Sequence, residues 1–300
     1  MKIYERERAT VASFYDKSTG SFQYVLVDKA TRSAVIIDPV LDFDEKAAAT
    51  RTKNADKIAA YVQQEGLKVS WVLDTHPHAD HFSAAPHLAK KFGAPTGIGR
   101  KVIEVQKLWK DLYGLTDFPA DGHQWDRLFD AGDALEVGEL TGRVLFSPGH
   151  TLASASYVFE DVAFIHDTLM VPDSGTSRAD FPGGDSHALY RSIREILDLS
   201  GETALFVGHD YGKGGREPYG ITTVAETRAS NIHVRDGINE AEFVRLREER
   251  DAKLPLPKLM LAALQVNIRG GRLPEPEANG HSYLRIPLNR FEPKEADAEG

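Results

Sequence analysis

Thr75-His76-Pro77-His78-Ala79-Asp80-His81 places three imidazoles and one carboxylate within six consecutive positions. Imidazole suits zinc and iron, and a carboxylate adds a harder oxygen ligand, so the stretch reads as part of a metal site. Val69 to Leu73 before it is apolar and predicts a buried strand, and Ser83 to Phe92 after it predicts a helix. The junction from strand end to helix start is where α/β proteins place their chemistry. If the strand geometry continues, His76 and His78 face the same side. Asp80 and His81 then approach the same centre from the turn.

Three further segments put ligand types after apolar runs. Ser147-Pro148-Gly149-His150-Thr151 offers a His in a turn after Arg143 to Phe146. Val162 to Asp167 ends a predicted strand on a carboxylate, and Leu205 to His209 ends another on a His. Alone, His150 or His209 would read as an ordinary surface or hydrogen-bonded residue, and Asp167 as a helix cap. The packed cluster changes that reading, because a solvated loop has no reason to concentrate imidazoles. His87 reads as a helix-surface residue, and His123, His187, His233 and His281 have no ligand partners nearby in sequence. His166 points away from Asp167 if that strand is regular, which gives it a supporting or structural role.

The series His-x-His-x-Asp-His, Pro-Gly-His-Thr, a strand-terminal Asp and Gly-His-Asp-Tyr resembles the metallo-β-lactamase superfamily. Within it the chain looks most like the persulfide dioxygenases (sulfur dioxygenases), relatives of the glyoxalase II thioesterases. The likeness includes Arg178-Ala179-Asp180-Phe181, Leu189 to Ile193, Thr223 to Glu226 with Arg228 and Asn231, Gln265 to Arg269, and Tyr283 to Leu288. It spans nearly the whole chain. It implies an α/β fold, the αββα sandwich of two mixed sheets flanked by helices. It also suggests a catalytic domain over residues 8–235 and a helical extension and tail over 236–300.

Two metal states follow from the resemblance. Dizinc hydrolases of the superfamily use the equivalents of His76, His78 and His150 for one ion and of Asp80, His81 and His209 for the other, sharing Asp167. A metal-bound hydroxide then attacks a carbonyl. Persulfide dioxygenases hold one Fe(II) on the equivalents of His76, His150 and Asp167, a two-His-one-carboxylate triad with open positions. His78, Asp80, His81 and His209 would then support the ligands and bound water. The implied reaction oxidises glutathione persulfide with O₂ to sulfite and glutathione. By motif match, Arg178, Tyr211 and Arg228 would hold the substrate, Arg through bidentate carboxylate pairing. Arg228 reads equally well as half of a structural ion pair. Two departures from the family lie beside the ligands: His166 where a Gly is usual, and Leu152-Ala153 after Pro-Gly-His-Thr. A non-catalytic metal-dependent scaffold is a weaker reading, because a scaffold has no need of open coordination positions.

Composition narrows the classes. Lys plus Arg total 36 against 45 Asp plus Glu, a net charge of −9, with no long basic run. Nucleic-acid binding needs clustered positive charge to displace counterions, so that class is disfavoured. There is no long apolar stretch, and the charged start Met1 to Arg8 has no apolar signal region, so a soluble cytoplasmic protein with no membrane partner is expected. The chain has no Cys, which excludes disulfides and thiolate ligands. Any sulfur chemistry must therefore take place on the substrate. Homo-oligomerisation is left open. Gly97-Ile98-Gly99 and Gly212 to Gly215 lack the spacing of a nucleotide fingerprint.

The elements that must carry these residues read as follows. Ser21 to Asp28 and Ser33 to Ile37 predict paired strands, and Asp44 to Gln64 a helix. Lys101 to Leu108 predicts a helix, Tyr113 to Arg127 a loop, and Leu128 to Ile165 a run of short strands. Ser186 to Leu199 has one apolar helical face. Ala204 to Val207 predicts a strand, and Thr222 to Ile232 and Asn239 to Ala252 predict helices. The tail 292–300 is polar and expected to fray.

Overall fold

A computed structural model describes residues 1–291. The expected tail 292–300 lies outside the described residues. The chain begins with strands β1 (Lys2–Glu5), β2 (Ala9–Asp16), β3 (Ser21–Asp28), β4 (Ser33–Ile37), β5 (Val40–Asp44) and β6 (Ala49–Arg51), then helix α1 (Lys53–Gln64). It continues through β7 (Lys68–Leu73), β8 (Phe82–Ser83), α2 (Ala85–Phe92), β9 (Thr96–Gly99), α3 (Val102–Tyr113) and β10 (Arg127–Phe129). The second half holds β11 (Ala134–Val137), β12 (Leu140–Phe146), β13 (Ala155–Phe159), β14 (Val162–His166), α4 (Ser186–Leu197), β15 (Ala204–Val207), β16 (Ile221–Thr223), α5 (Val224–Ser230), α6 (Glu240–Asp251) and α7 (Met260–Asn267).

Two mixed sheets form the centre. One runs β1-β2-β3-β4-β7-β9-β10 and the other β11-β12-β13-β14-β15-β16. Strand β3 shows why they stack. Tyr24 and Leu26 face the other sheet, meeting Tyr157, Phe164 and Phe206, while Val25 and Val27 face outward onto α1 and α2. Alternate residues point to opposite faces of a strand, so a strand covered on both sides must be apolar throughout. The second sheet is covered in the same way. Ile165, Leu205 and Val207 pack under Leu189 and Ile193 of α4 and Phe243 of α6. This is the αββα sandwich expected. Residues on both sides of position 236 share cores: Met260 and Leu264 of α7 pack with Val105 and Trp109 of α3.

Several predicted elements differ in extent. The helix expected from Asp44 starts only at Lys53, because β5 and β6 form a hairpin first. Asp44 Oδ1 accepts from the amides of Lys46 and Ala47, and Ala48 takes φ 48°. That Asp-anchored turn overrides the helix propensity of the three alanines. Helix α3 runs on to Tyr113 and stops at Gly114 in the left-handed region. Thr222 belongs to edge strand β16, and α5 starts after Thr223, whose hydroxyl caps the Glu226 amide. The histidine stretch is loop, not strand, since β7 ends at Leu73. Among the described residues no helix is long and apolar enough to cross a membrane.

Candidate metal centre

The carboxyl ends of β4, β7, β12, β14 and β15 open onto one rim of the sandwich, and each leads into a loop with ligand-type side chains. Parallel pairing of β4 with β7 and of β14 with β15 brings such ends together. His76, His150 and Asp167 meet there, each buried, with one ligand atom apiece within 4.8 Å of the others. Asp167 Oδ2 lies 3.8 Å from His76 Nε2 and 3.6 Å from His150 Nε2. His78, Asp80 and His81 form a second such group.

Second partners decide which nitrogen of each imidazole is left for a metal. Thr75 Oγ1 donates to Asp38 Oδ2 at 2.8 Å and so accepts from His76 Nδ1 at 3.0 Å. That leaves His76 Nε2 with a lone pair. His150 Nδ1 donates to the Arg178 carbonyl at 2.8 Å, which frees its Nε2 in the same way. His78 Nε2 donates to Asp38 Oδ1 at 3.0 Å, and its Nδ1 is buried with no hydrogen-bond partner. His81 Nε2 is likewise buried and unpartnered. Carboxylate or carbonyl contacts that fix tautomers are what metal-binding imidazoles require. The orphaned nitrogens and the donor types fit a borderline metal ion.

Electrostatics agree with neutral ligands at the first group. Burial, followed by the neighbouring His78, His166 and His150, holds the His76 pKa well below the ordinary value. Burial also lowers that of His150. His78 is different. Burial opposes its charge, but Asp38 outweighs this through charge and hydrogen bond and raises its pKa to about 9. His209 is held between two carboxylates, with Nδ1 2.6 Å from Asp167 Oδ1 and Nε2 2.8 Å from Asp80 Oδ2. Burial disfavours its charge, yet Asp167 and Asp80 raise its pKa well above normal.

Residues the sequence reading passed over build much of this rim. Asp38 follows β4 at φ 50° and serves Thr75 and His78 together. Its only signal was an Asp-Pro after an apolar strand. Ser21 Oγ donates to Asp80 Oδ2 at 2.9 Å and lies 3.0 Å from His209 Nε2. Around it, β3 is joined to the second sheet by Phe22 N to Gly208 O and Asp210 N to Gly20 O. Asn267 at the end of α7 donates to the carbonyls of His78 and His81 and accepts from the Ser83 amide. The C-terminal segment thus clamps the histidine loop from below.

His166 departs from the regular alternation expected of it. Strand pairing shifts between Phe164 and His166, and His166 has φ 40°. This left-handed region favours glycine, so His166 holds a backbone conformation that a Gly would adopt without strain. The ring lies within hydrogen-bonding distance of the Ser147 and Thr168 hydroxyls, 2.9 Å from each, and its centroid is 5.1 Å from that of His76. Gly149, at φ 133°, lies so close to the Leu189 backbone at the start of α4 that a Cβ there would collide with it.

A cavity of about 780 Å³ fronts the first group, lined by His150, Asp167 and His209 with Tyr211, Arg178 and Phe181. Tyr211 stacks on His209 at 5.8 Å between ring centroids and reaches solvent. Arg178 lines the cavity, but its guanidinium is forked onto Asp180 and donates to the Pro255 carbonyl. Arg228 is not among the lining residues. It pairs with Asp236 at 3.0 Å and donates to the Leu197 carbonyl.

The model of the metallo-beta-lactamase superfamily matches residues 19–209, a span that contains all seven expected metal residues. The beta-lactamase hydrolase-like protein of Xylella fastidiosa (strain Temecula1) is 58% identical over 282 residues, 94% of this chain and 65% of that protein. This chain therefore spans just under two thirds of that relative's length. The mitochondrial persulfide dioxygenase ETHE1 of Bos taurus is 28% identical over 261 residues, covering 86% of this chain and 87% of that one. The crystal structure of ETHE1 from Myxococcus xanthus matches with a TM-score of 0.70 and 31% identity, over 87% of this chain and 99% of that one. With a family match over more than half its length and the ligand series gathered at one rim, the chain belongs to the metallo-β-lactamase superfamily.

Proposed function

We propose that the chain is an Fe(II)-dependent persulfide dioxygenase that converts glutathione persulfide, O₂ and water to glutathione, sulfite and two protons. The sulfur–sulfur bond breaks, the terminal sulfur gives up four electrons, and O₂ takes up four, so no further redox cofactor is required. Two of the sulfite oxygens come from O₂ and one from water.

One observation carries this reading over a dinuclear one. His76, His150 and Asp167 converge with free donor atoms, while both nitrogens of His209 are engaged by Asp167 and Asp80. One ion on the first three residues would supply one-electron chemistry and open positions for sulfur and O₂. The chain's own residues do the positioning. Asp38 fixes the His76 tautomer through Thr75, and the Arg178 carbonyl fixes that of His150. Phe181 packs edge-on against His150 at 5.2 Å and limits ring rotation. Met170, Ile232 and Leu254 give the cavity apolar walls that exclude water from a reactive sulfur. Similarity to proteins named persulfide dioxygenase adds support.

The second reading is a dizinc glyoxalase II-like thioester hydrolase. The unpartnered His78 Nδ1 and His81 Nε2, grouped with Asp80, favour it, as does the hydrolase-like name of a more similar relative. Metal analysis of anaerobically purified protein, followed by O₂ uptake with glutathione persulfide, separates the two. One iron per chain with persulfide-dependent uptake is expected. Two zinc ions with rapid thioester hydrolysis and no uptake would reverse the assignment.

A further inference from the structure

Ala79, His150 and Phe181 each line two cavities, the large one in front of the metal cluster and a much smaller one of about 20 Å³. The rest of the small one is Pro77 of the histidine loop, Val105 and Trp109 of α3 and Leu264 of α7, with Thr151 and Pro182 half-buried at its edge. No Asp, Glu, Lys or Arg side chain lines it. The large cavity differs, with Asp80, Asp167, Arg178 and Lys213 among its walls. Roughly 10–15 Å³ is the least that holds one water-sized molecule, so the small space has room for a single small guest.

Water is a poor occupant of it. A buried water needs about two to four polar partners. The Thr151 hydroxyl is taken up with Ser154 Oγ at 2.9 Å, and His150 Nδ1 donates to the Arg178 carbonyl at 2.8 Å. His150 Nε2 lies toward Asp167 and is the atom left for the metal. That leaves the Trp109 indole as the remaining polar side-chain group among the lining residues. Apolar cavities of this kind stay dry and take up apolar guests. Dioxygen is small and apolar, so its transfer from water into such surroundings is favourable. A thiol-derived substrate seated in the large cavity covers that approach to His150 and Asp167. It leaves the small pocket free, because Val105, Trp109 and Leu264 line only that one.

Resting on the dioxygenase reading, we propose that this pocket between α3, α7 and His150 is a dioxygen-binding site. It takes one O₂ from solvent and holds it beside His150. Between Ala79 and Phe181 it opens the way to the metal face of that ring while the substrate fills the large cavity. Val105 and Leu264 set its size, and neither lines the substrate's cavity.

Methyl-resolved NMR of the zinc-loaded full chain under O₂ pressure tests this, because zinc is diamagnetic and has no redox chemistry. O₂ is paramagnetic and speeds the relaxation of methyl groups it sits against. The Val105 and Leu264 methyls should gain several-fold more relaxation from O₂ than the buried core methyls of Val11 and Leu26. Val105→Leu puts one more carbon into the space and should abolish the excess at Leu264, with circular dichroism checking its fold. Its iron-loaded form should show kcat/KM for O₂ reduced several-fold and KM for glutathione persulfide unchanged, a split that a general loss of structure would not give. Val105→Ala widens the pocket and should keep the excess at Leu264. Equal relaxation at pocket and core methyls, an excess that survives Val105→Leu, or O₂ kinetics unchanged in that variant would overturn the site. An excess that Val105→Leu abolishes, in a protein whose iron-loaded wild type shows no persulfide-dependent O₂ uptake, keeps the gas site and removes the dioxygenase assignment alone.

Discussion

Asp38 Oδ1 lies 3.0 Å from His78 Nε2, across forty residues of sequence, and the same oxygen accepts from the Thr75 amide at 2.7 Å. Its second oxygen accepts from the Thr75 hydroxyl, which in turn orients His76. One carboxylate therefore sets the donor atoms of two imidazoles. Asp38→Asn suits the left-handed backbone of that position, since Asn tolerates it. The variant loses the charge that fixes both rings, and metal affinity should fall by about 10- to 100-fold. Titration against a competing chelator measures this, and an unchanged affinity would show that Asp38 only supports the loop.

His166 combines a strained backbone with a side chain that bridges two hydroxyls. His166→Ala loses the bridge and keeps the strain, at a cost of about 1–3 kcal/mol. His166→Gly loses the same bridge but removes the strain, so it should be about 1 kcal/mol more stable than the Ala variant. Urea unfolding of both variants gives the order. An Ala variant more stable than the Gly variant would refute the role of backbone strain.

His233 accepts from the Thr176 amide through Nδ1, which requires the neutral ring. Its folded pKa of about 3 lies below the ordinary value of 6.5, mainly through burial. The unfolded chain therefore takes up this proton first. Stability is lost as pH falls from 6.5 toward 3 and is fully present above that window. His233→Asn keeps an acceptor near Thr176 without a titrating group, so its acid-unfolding midpoint should move to lower pH. Circular dichroism of the metal-free protein across that range tests it. A midpoint at the wild-type pH would show that other groups govern the acid limb.

Arg228 is the case in which motif and structure point to different experiments. A substrate-holding Arg228, as motif matching suggests, would make Arg228→Ala raise KM for the persulfide. In the fold the side chain pairs with Asp236 on the outer surface, 42% exposed. The expected outcome is now an unchanged KM and a stability loss of under about 1 kcal/mol, typical of exposed pairs. A several-fold rise in KM would return Arg228 to the substrate site.

The αββα layering was legible through the family resemblance and through two blocks of predicted strands, each followed by helices. The hairpin at Val40 to Arg51 was not, because Ala47 to Ala49 favour helix and only the Asp44 turn redirects them. Asp38 and Ser21 were also invisible as site residues. An Asp or Ser at a strand boundary ordinarily serves a turn, and nothing local marks it as a partner of a distant imidazole.

By itself the sequence determined the identity and order of the metal-type side chains, because an unusual density of imidazoles after apolar strands survives without knowledge of the fold. Tertiary structure decided which nitrogen each ring offers and which arginines are already neutralised. Those properties depend on contacts between residues far apart in the chain, such as His78 with Asp38 and Arg178 with Asp180 and the Pro255 carbonyl. Residue type sets what a side chain is able to bind, and the packed neighbours set which of those bonds is already made.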